Sequence, residues 1–396
     1  MSTLRSALRA SVVVVGASLA GYSLVRELRA HGHDGDVTVI GDEPHPPYDR
    51  PPLSKEFLHG EVDIALADGT EDSRTRWLLG RRAVGITSAP TGPGVTLDDG
   101  TVVAGQSLVL ATGARARSLP GTRALTGIHT LRTVDDARAI RAALHTAHTV
   151  VIVGAGLIGA EIASTAVTLG VQATVVELAA DPLAGVFGPR LGALCANLHA
   201  ANGVRLRTGV AVAEFVGDHR VGAVRLTDGT LLPADAVIIG IGAVPNTEWA
   251  QDSPLHIANG FVTDSQCRTT VPDVYAIGDC ARAYHEELGA LHRCEHWSNA
   301  TAQARIVAAV LTGAPPHPVP STYFWSRQYG RMIQFAGYRR PDDVLRFVDG
   351  DPSTPSCTAL YERDGVPVAV FAIDNARLFT RYRKQIERRP AAIATP

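Results

Sequence analysis

The chain has 396 residues, of which 45% are hydrophobic, and its formal net charge is −2 at pH 7. A chain of this length is too long for one hydrophobic core, so two or three domains are expected. The near-neutral charge argues against a nucleic-acid-binding protein, which would need a strongly basic face.

The cysteines and the apolar segments limit the class of protein further. The five cysteines form no CxxC pair, so we expect buried or incidental thiols, no disulfide framework and no bound metal. No segment reaches the ~18 apolar residues of a membrane span. Arg5 and Arg9 precede only a short apolar run, so we expect no secretory signal and interpret the protein as cytoplasmic.

The first predicted elements form a dinucleotide-binding unit. The apolar run Val12–Val15 predicts a buried parallel strand, and the motif Gly16–Gly21 (GASLAG) follows it directly. A glycine turn at this place opens a helix whose N-terminal amides face a pyrophosphate. Ser18 replaces the middle glycine, which weakens this motif taken alone. A second strand, Val37–Ile40, ends just before Asp42, where an acid would accept hydrogen bonds from a ribose.

A proline-rich passage, Pro44–Lys55, comes next. Because each proline fixes its φ angle, we expect a stiff loop that presents a surface to a ligand. Residues 84–105 predict short strands with turns at Gly92–Gly94 and Asp98–Gly100. The run Leu108–Gly113 predicts another buried strand that ends in a tight turn.

A second motif of the same kind, Gly154–Gly159 (GAGLIG), follows the apolar strand Val150–Val153 and opens a helix predicted over Ala160–Leu169. The partner strand ends at Glu177, close to the ~20-residue distance at which an acid is expected. A carboxylate there suits a free ribose 2′-hydroxyl and repels a 2′-phosphate. No Lys or Arg occurs at positions 178–189, so the unit is predicted to prefer NADH to NADPH. Two dinucleotides held in one chain indicate hydride transfer from nicotinamide to flavin.

The remaining pattern predicts an α/β protein with two Rossmann-type dinucleotide-binding domains and a small C-terminal α+β domain. A helix follows Thr133, buried strands are predicted at 236–242 and 274–279, and a long helix runs from about Asn299 to Leu311. The end of the chain alternates as in an antiparallel sheet and closes with a helix from Asn375. The predicted domains are 1–115 (FAD-binding, first part), 116–242 (NAD-binding), 243–318 (FAD-binding, second part) and 319–396 (C-terminal).

Lys55 and Glu161 are the charged residues placed most suggestively by the sequence, at the end of the proline passage and just after the second motif. A cation close to a flavin favours the anionic reduced form, and a carboxylate opposite would hold that cation in place. Ordinary surface charges are the alternative. Asp279, at a strand end, is a candidate for hydrogen bonds to a ribityl chain. Trp297 is a candidate for stacking near an isoalloxazine ring or for a place in the core.

Several strings are more distinctive than either glycine motif: Tyr48–Lys55 (YDRPPLSK), Glu295–Ala300 (EHWSNA) and Phe324–Gly330 (FWSRQYG). Together with both motifs they resemble the FAD-dependent ferredoxin reductases of bacterial oxygenase systems, from about residue 12 to about residue 340. The resemblance implies the glutathione-reductase-type fold, with an FAD domain, an inserted NAD domain and a C-terminal domain.

The resemblance also implies residue roles. Pro52 and Lys55 would lie beside the flavin ring, and Glu161 would pair with the lysine, which makes Lys55 and Glu161 the catalytic candidates. The second motif would hold NADH together with Glu177. The predicted cofactor-binding residues are Gly16, Ser18, Leu19, Ala20, Gly21, Asp42, Arg50, Pro52, Lys55, Ala83, Ala111, Thr112, Gly113, Arg132, Gly154, Gly156, Leu157, Ile158, Gly159, Glu161, Glu177, Gly242, Gly278, Asp279, Glu295, His296 and Trp297.

The activity implied is NADH-dependent reduction of an iron–sulfur ferredoxin that supplies a monooxygenase or a ring-hydroxylating dioxygenase. Positions 42–58 contain no Cys, which argues against a disulfide reductase. The alternatives are a reductase for rubredoxin, a quinone or dioxygen, and a flavin-binding interaction protein with weak NADH oxidase activity. A candidate basic patch for an acidic ferredoxin, or else a scattered solvated surface, comprises Arg327, Arg331, Arg339, Arg340 and Arg346.

Overall fold

The computed structural model describes residues 9–60, 62–66, 72–122, 125–315, 321–354 and 356–388. These residues form two parallel five-stranded sheets and one antiparallel five-stranded sheet, with smaller sheets between them. The predicted α/β class is confirmed. In the described part of the chain, no helix has the length and apolar character needed to cross a membrane.

The first segment carries the first glycine motif in the predicted setting. Its opening strand is buried at all four positions, and the helix after it turns the fully buried Leu24 and Leu28 toward the sheet. The proline passage contains a 3₁₀ turn at Pro51–Ser54, where the prolines stand at the first helical positions. The elements are β1 (Val12–Val15), α1 (Leu19–Ala30), β2 (Val37–Gly41), α2 (Glu56–His59), β3 (Thr75–Leu79), β4 (Ala83–Ala89), β5 (Gly92–Leu97), β6 (Val102–Ala104), β7 (Ser107–Leu110) and β8 (Ala114–Ala116).

The turn predicted at Gly92–Gly94 is wrong. These residues open β5, and Ala89 pairs directly with Gly92, so the turn consists of Pro90 and Thr91. Gly92 has φ +127°, and a Cβ there would lie 2.5 Å from the carbonyl oxygen of Gly105. Glycine is therefore required by a close approach of two backbones, which the sequence cannot distinguish from a turn.

The second segment repeats the strand–glycine turn–helix arrangement. Its first helix starts after a capping box, in which the Thr133 hydroxyl accepts from the Asp136 amide and the Asp136 carboxylate accepts from the Thr133 amide. The elements are β9 (Ile128–Thr130), α3 (Val134–Leu144), β10 (Thr149–Val153), α4 (Leu157–Thr168), β11 (Gln172–Val176), α5 (Ala184–Phe187), α6 (Pro189–Ala201), β12 (Arg205–Arg207), β13 (Val212–Gly217), β14 (Val221–Leu226), β15 (Leu231–Pro233), β16 (Ala236–Ile239) and β17 (Ala243–Pro245).

The third segment returns to the first sheet and ends in a long helix, and the fourth forms the antiparallel sheet. The third comprises β18 (Phe261–Thr263), β19 (Val274–Ala276), β20 (Ala281–His285), β21 (Ala290–His292) and α7 (Trp297–Thr312). The fourth comprises β22 (Tyr323–Gln328), β23 (Arg331–Gly337), β24 (Val344–Asp349), β25 (Cys357–Arg363), β26 (Val366–Ile373) and α8 (Ala376–Glu387). The helix predicted from Asn375 is α8, and Asn375 itself is its N-cap.

The strand orders place one switch point in each parallel sheet. The first sheet runs β19-β7-β1-β2-β3 and the second runs β12-β11-β10-β16-β9. In each, the strand before the glycine motif has the next strand of the unit on one side and a much later strand on the other: β2 and β7 for β1, β11 and β16 for β10. The crevice at the carboxyl end of such a strand is where these sheets bind ligands. The second sheet is inserted between β7 and β19. The paired strands β8 and β17 connect the two units near the predicted boundaries at 115/116 and 242/243, which stay predictions. The boundary at 318/319 lies outside the described residues.

The units share hydrophobic cores. Leu53 of the proline passage and Phe57 and Leu58 of α2 pack in the same cluster as Ile152 and Ile162 of the second unit. A second shared cluster joins α5 and α6 to the C-terminal sheet, and Phe187 of α5 packs there against Phe324 and Phe371. The proline passage and the C-terminal sheet are therefore both fixed to the unit that carries the second glycine motif.

Two buried histidines predict how stability depends on pH. Burial lowers the pKa of His199 and of His296 to about 4, below the value near 6.5 of an unfolded chain. Below pH 6.5 the unfolded state binds protons that the folded state does not, so stability falls as the pH drops toward 4. We expect each histidine to cost about 1–2 kcal/mol of unfolding free energy at pH 5 relative to pH 7. Urea unfolding at both pH values measures this loss, and a smaller loss in His199→Asn identifies its share.

Candidate active site

A cavity of about 570 Å³ opens at the carboxyl ends of the first sheet's strands. This is the switch point of the first sheet. Predicted residues that line it are Gly16, Ser18, Asp42, Arg50, Ala83, Ala111, Thr112, Gly113 and Arg132. Residues in its wall that the sequence did not indicate include Glu43, Tyr48, Arg81, Arg82, Asn246, Glu248 and Trp249.

The first glycine motif is shaped for close approach. Gly16 has φ +126°, and a Cβ there would lie 2.0 Å from the carbonyl oxygen of Ala111. A Cβ on Gly21 would lie 2.0 Å from the carbonyl oxygen of Gly16. Strand, turn and helix thus contact one another through backbone atoms alone. The first backbone N–H groups of α1, which have no partner within the helix, are therefore placed beside the cavity. This cradle fits the pyrophosphate of a dinucleotide.

Ser18, in the middle of the motif, accepts a hydrogen bond from Arg50. It stands at the N-cap of α1 without capping it, and its hydroxyl accepts a hydrogen bond from Arg50 Nε at 3.2 Å. The serine therefore brings a guanidinium to the loop where a pyrophosphate would carry negative charge. The departure from the glycine pattern adds a contact for the cation and leaves the turn intact.

Arg50 and Arg132 form the charged side of the cavity. Arg50 Nη2 lies 2.6 Å from Glu43 and its Nη1 contacts the carbonyl oxygen of Arg132. Arg132 in turn pairs with Asp279 at 2.6 Å. Tyr48 donates to Glu43 and accepts from the Val134 amide at 3.0 Å, and burial raises the pKa of its phenol. The network connects the proline passage to β19's end and to α3.

Asp42 lies at the end of β2, where a ribose-binding acid is expected. Its exposed carboxylate pairs with Arg82 at 3.0 Å. Both side chains line the cavity, so the acid is held at its rim. The role of Asp42 toward a ribose stays a prediction.

Lys55 and Glu161 form a buried ion pair with 2.6 Å between Nζ and Oε2. The alternative of ordinary surface charges is wrong, because only 13% of the lysine side chain and 6% of the glutamate side chain are exposed. The Ser54 hydroxyl donates to the same carboxylate oxygen at 2.5 Å, and Ser326 donates to the other at 2.7 Å. Lys55 and Lys384 are the only lysines among the 37 basic residues of the chain, so the cation in this pair is a compact ammonium in a protein that otherwise uses arginine.

The segment from Gly278 to Trp297 meets the first motif from the other side. A Cβ on Gly278 (φ +73°) would lie 3.1 Å from the Ala20 side chain, so these two predicted residues touch. Glu295 pairs with Arg293, and the His296 ring stacks on Phe324 at 4.4 Å. Trp297 begins α7, and its 38% exposure makes the alternative of a core aromatic wrong.

One hydrogen bond fixes the orientation of the Trp297 ring. Its indole Nε1 donates to Asp49 Oδ1 at 2.8 Å, which ties α7 to the proline passage beside Pro52. Burial raises the pKa of Asp49, and the indole and Lys55 act in the opposite direction. The aromatic ring is thus fixed in orientation while the residue stays partly exposed to solvent.

The second glycine motif repeats the geometry of the first. Gly154 has φ +105° with a virtual Cβ 2.3 Å from the carbonyl oxygen of Gly240, and a Cβ on Gly159 would lie 2.0 Å from the carbonyl oxygen of Gly154. A Cβ on Gly156 would meet nothing, so space is open where a pyrophosphate would approach. The helix α4 begins at Leu157, earlier than predicted, because Gly156 serves as its N-cap. Ile158 in its first turn is 48% exposed, and Gly242 lies just beyond β16.

Glu177 is held in place at the end of β11. Its carboxylate accepts hydrogen bonds from the amides of Ala155 and Ala179, both at 2.8 Å. An arginine does lie nearby, since the Glu177 amide bonds to the carbonyl oxygen of Arg207 on the adjacent strand. The Arg207 guanidinium pairs instead with Asp228 at 2.7 Å. The sequence did not predict that Arg207 lies near Glu177, because the pairing of β11 with β12 brings the two residues together.

The candidate basic patch is largely neutralised. Arg327 pairs with Glu56 at 2.6 Å, Arg331 with Asp374 at 3.1 Å, and Arg346 with Glu362 at 2.5 Å. Arg339 is bound to backbone carbonyl oxygens of α5. The arrangement favours the alternative of a scattered surface over a single free positive patch.

The thiols lie in the interior of the protein. All five cysteines are free and buried. Burial raises the pKa of Cys195 and of Cys294 to about 12, which disfavours the nucleophilic thiolate.

Comparison with known families identifies two matching regions. Residues 10–304 match the family described as pyridine nucleotide-disulphide oxidoreductase, and residues 323–395 match the reductase C-terminal family. The first region covers both parallel sheets, and the second covers the antiparallel sheet and its helix.

Individual relatives agree with these matches over most of the chain. Rhodocoxin reductase of Rhodococcus erythropolis is 39% identical over 334 residues, 83% of this chain and 78% of that protein. The ferredoxin reductase component of chlorobenzene dioxygenase from Cupriavidus sp. (strain PS12) is 38% identical over 394 residues, 96% of this chain and 93% of that protein. The crystal structure of the covalent putidaredoxin reductase–putidaredoxin complex superposes with a TM-score of 0.90 at 34% identity, covering 96% of this chain and 94% of that chain.

Proposed function

The chain belongs to the pyridine nucleotide-disulphide oxidoreductase family, and we propose that within it the protein is an NADH-dependent ferredoxin reductase. It is an FAD-dependent oxidoreductase that uses NAD(H). The single observation that carries the finer proposal is the buried Lys55–Glu161 pair at 2.6 Å, which joins the proline passage of the first unit to the motif helix of the second.

The two glycine turns would bind the two dinucleotides, and Lys55 would supply a positive charge between them. FAD held in the first cradle would supply the redox chemistry, namely hydride transfer from NADH and single-electron transfer to the acceptor. The turn at Gly16 with Arg50 would hold the FAD pyrophosphate, and the turn at Gly154 with Glu177 would hold NADH. Lys55 would place a fixed positive charge near the junction, and Glu161 keeps that lysine from swinging to solvent.

The buried cysteines argue against a disulfide as the electron acceptor. Disulfide reduction needs an accessible thiolate, and the described cysteines are buried with raised pKa values. An acceptor that takes electrons without a thiol relay, such as an iron–sulfur protein, fits this chain. The relatives support that choice, since one is a dioxygenase component and another was solved with its redox partner.

The proposal extends to partner and location. We expect a transient complex with an iron–sulfur ferredoxin, which would pass electrons to a terminal oxygenase, with no nucleic-acid or membrane partner. The free cysteines fit a reducing compartment, which supports a cytoplasmic location.

The test is NADH-driven cytochrome c reduction with and without added ferredoxins. The proposal predicts a low rate for the reductase alone and a rate at least about tenfold higher with a suitable [2Fe–2S] ferredoxin. A rate that no ferredoxin raises, but that a quinone, rubredoxin or dioxygen does raise, would assign the enzyme to another acceptor.

Glu177 is expected to set the nicotinamide preference. In Glu177→Ala the ribose loses its acceptor, so the ratio of kcat/KM for NADH to that for NADPH should fall by about tenfold or more. Stopped-flow reduction of the bound flavin by each nucleotide measures the ratio. Asp181→Ala, which removes an exposed acid four positions away, is the matched control and should keep the wild-type ratio. An unchanged ratio in Glu177→Ala would remove Glu177 from the nucleotide site.

A further inference from the structure

The hairpin β22–β23 of the C-terminal sheet is docked on α4, the helix that carries Glu161. At its tip, Tyr329 (φ +52°) donates its amide hydrogen to Ser164 Oγ at 2.7 Å. The Tyr329 hydroxyl is also 2.7 Å from His199 Nδ1 on α6. Ser164 lies one helical turn beyond Glu161, so the hairpin is anchored beside the carboxylate by contacts that do not involve it.

From this anchored hairpin, Ser326 reaches the carboxylate. Its side chain is fully buried, and its hydroxyl donates to Glu161 Oε1 at 2.7 Å. Gln328, which is 1% exposed, donates Nε2–H to the Ser326 oxygen at 3.0 Å. No solvent competes for either group.

The chemistry of the groups gives these hydrogen bonds a direction. A carboxylate only accepts, so the Ser326 hydrogen points at Glu161 while its oxygen accepts from the amide of Gln328. On the opposite side, Ser54 and Lys55 both donate to Oε2. Both oxygens of the Glu161 carboxylate therefore accept hydrogen bonds. The hydrogen bond from Gln328 keeps the Ser326 hydroxyl from rotating away from the carboxylate.

We propose that Ser326, with its hydroxyl oriented by Gln328, is a positioning residue that holds the Glu161 carboxylate so that it fixes Lys55 at the flavin–nicotinamide junction. The inference rests on the proposed function, in which Lys55 lies beside the flavin. Three parts of the chain then meet on one carboxylate: Lys55 from the first unit, Glu161 from the second and Ser326 from the C-terminal sheet. The C-terminal domain thereby influences the redox potential of the bound flavin.

The test compares Ser326→Ala, Lys55→Met and the double variant with the wild type. The readouts are the midpoint potential of bound FAD, by anaerobic dye equilibration, and the FAD dissociation constant. We expect Ser326→Ala to make reduction of the bound flavin about tenfold less favourable, because the lysine charge is less well held. In the Lys55→Met background the same substitution should add nothing, since the charge it positions is gone.

Thr358→Val is the matched control. Thr358 is fully buried in β25 of the same sheet, and its hydroxyl has no hydrogen-bond partner in the structure. This variant should keep the wild-type potential. Gln328→Met provides a second route should Ser326→Ala fold poorly, because it keeps the hydroxyl but frees it to rotate. We expect a shift in the same direction and of smaller size.

Different results would contradict different claims. Ser326→Ala and Gln328→Met that both keep the wild-type potential would overturn the inference. So would a Ser326→Ala shift of equal size with and without Lys55. A wild-type protein that takes up no FAD would instead contradict the proposed function itself.

Discussion

Gly16→Ala is expected to leave a protein that no longer retains FAD, with affinity reduced about 100-fold or more. The added Cβ would stand 2.0 Å from the carbonyl oxygen of Ala111, at a φ of +126° that L-residues rarely adopt. Strands β1 and β7 cannot move apart, because they pair with each other and each also pairs with a further strand, β2 and β19. The turn must therefore shift and carry its amides away from the pyrophosphate. Equilibrium dialysis of FAD against the apoprotein measures the loss.

Gly85→Ala is the control for this substitution. Gly85 lies in β4 of the same unit, without a positive φ, and a Cβ there would meet nothing within 4 Å. This variant should bind FAD as the wild type does. A Gly16→Ala protein with unchanged FAD affinity would show that the first motif does not form the flavin site.

Lys55→Met is expected to destabilise the protein by about 3–5 kcal/mol, because it leaves the Glu161 carboxylate buried without its cation. The midpoint potential of bound FAD should also fall, since the charge that favours the reduced flavin is lost. Urea unfolding measures the stability and dye equilibration measures the potential.

The double variant Lys55→Met/Glu161→Gln separates the two effects. Removing the orphaned carboxylate should restore much of the stability, while the potential should stay low because no cation returns. Lys384→Met, at the chain's other, exposed lysine, should change neither quantity. Wild-type stability and potential in Lys55→Met would mean that the ion pair is not part of the redox centre.

The local parts of the fold were predictable from sequence because each is specified within a few residues. The four-valine run of β1, the glycine turn after it and the capping box at Thr133 each follow from neighbours in the chain. The turn at Gly92–Gly94 failed because a glycine needed for backbone approach has the same sequence signature as a glycine needed for a turn.

The parts of the site that sequence did not give are long-range contacts. Ser326 lies 165 positions from Glu161, and Arg207 reaches Glu177 only through the pairing of β11 with β12. Ser326 and Gln328 did stand in a string that carried the family resemblance, but only the fold shows which carboxylate they serve. The pairing of Glu43 with Arg50, although only seven positions apart, depends on the 3₁₀ turn that the proline passage adopts.

Anaerobic titration of the purified protein with NADH tests the central claim most directly, namely that one chain seats FAD beside NADH. We expect a yellow protein whose visible flavin absorbance is bleached by about one NADH per bound FAD. NADPH should act much more slowly, because we propose that the Glu177 carboxylate lies where a 2′-phosphate would bind. A colourless protein that cannot be reconstituted with FAD, or a flavin that NADH does not reduce, would contradict the account.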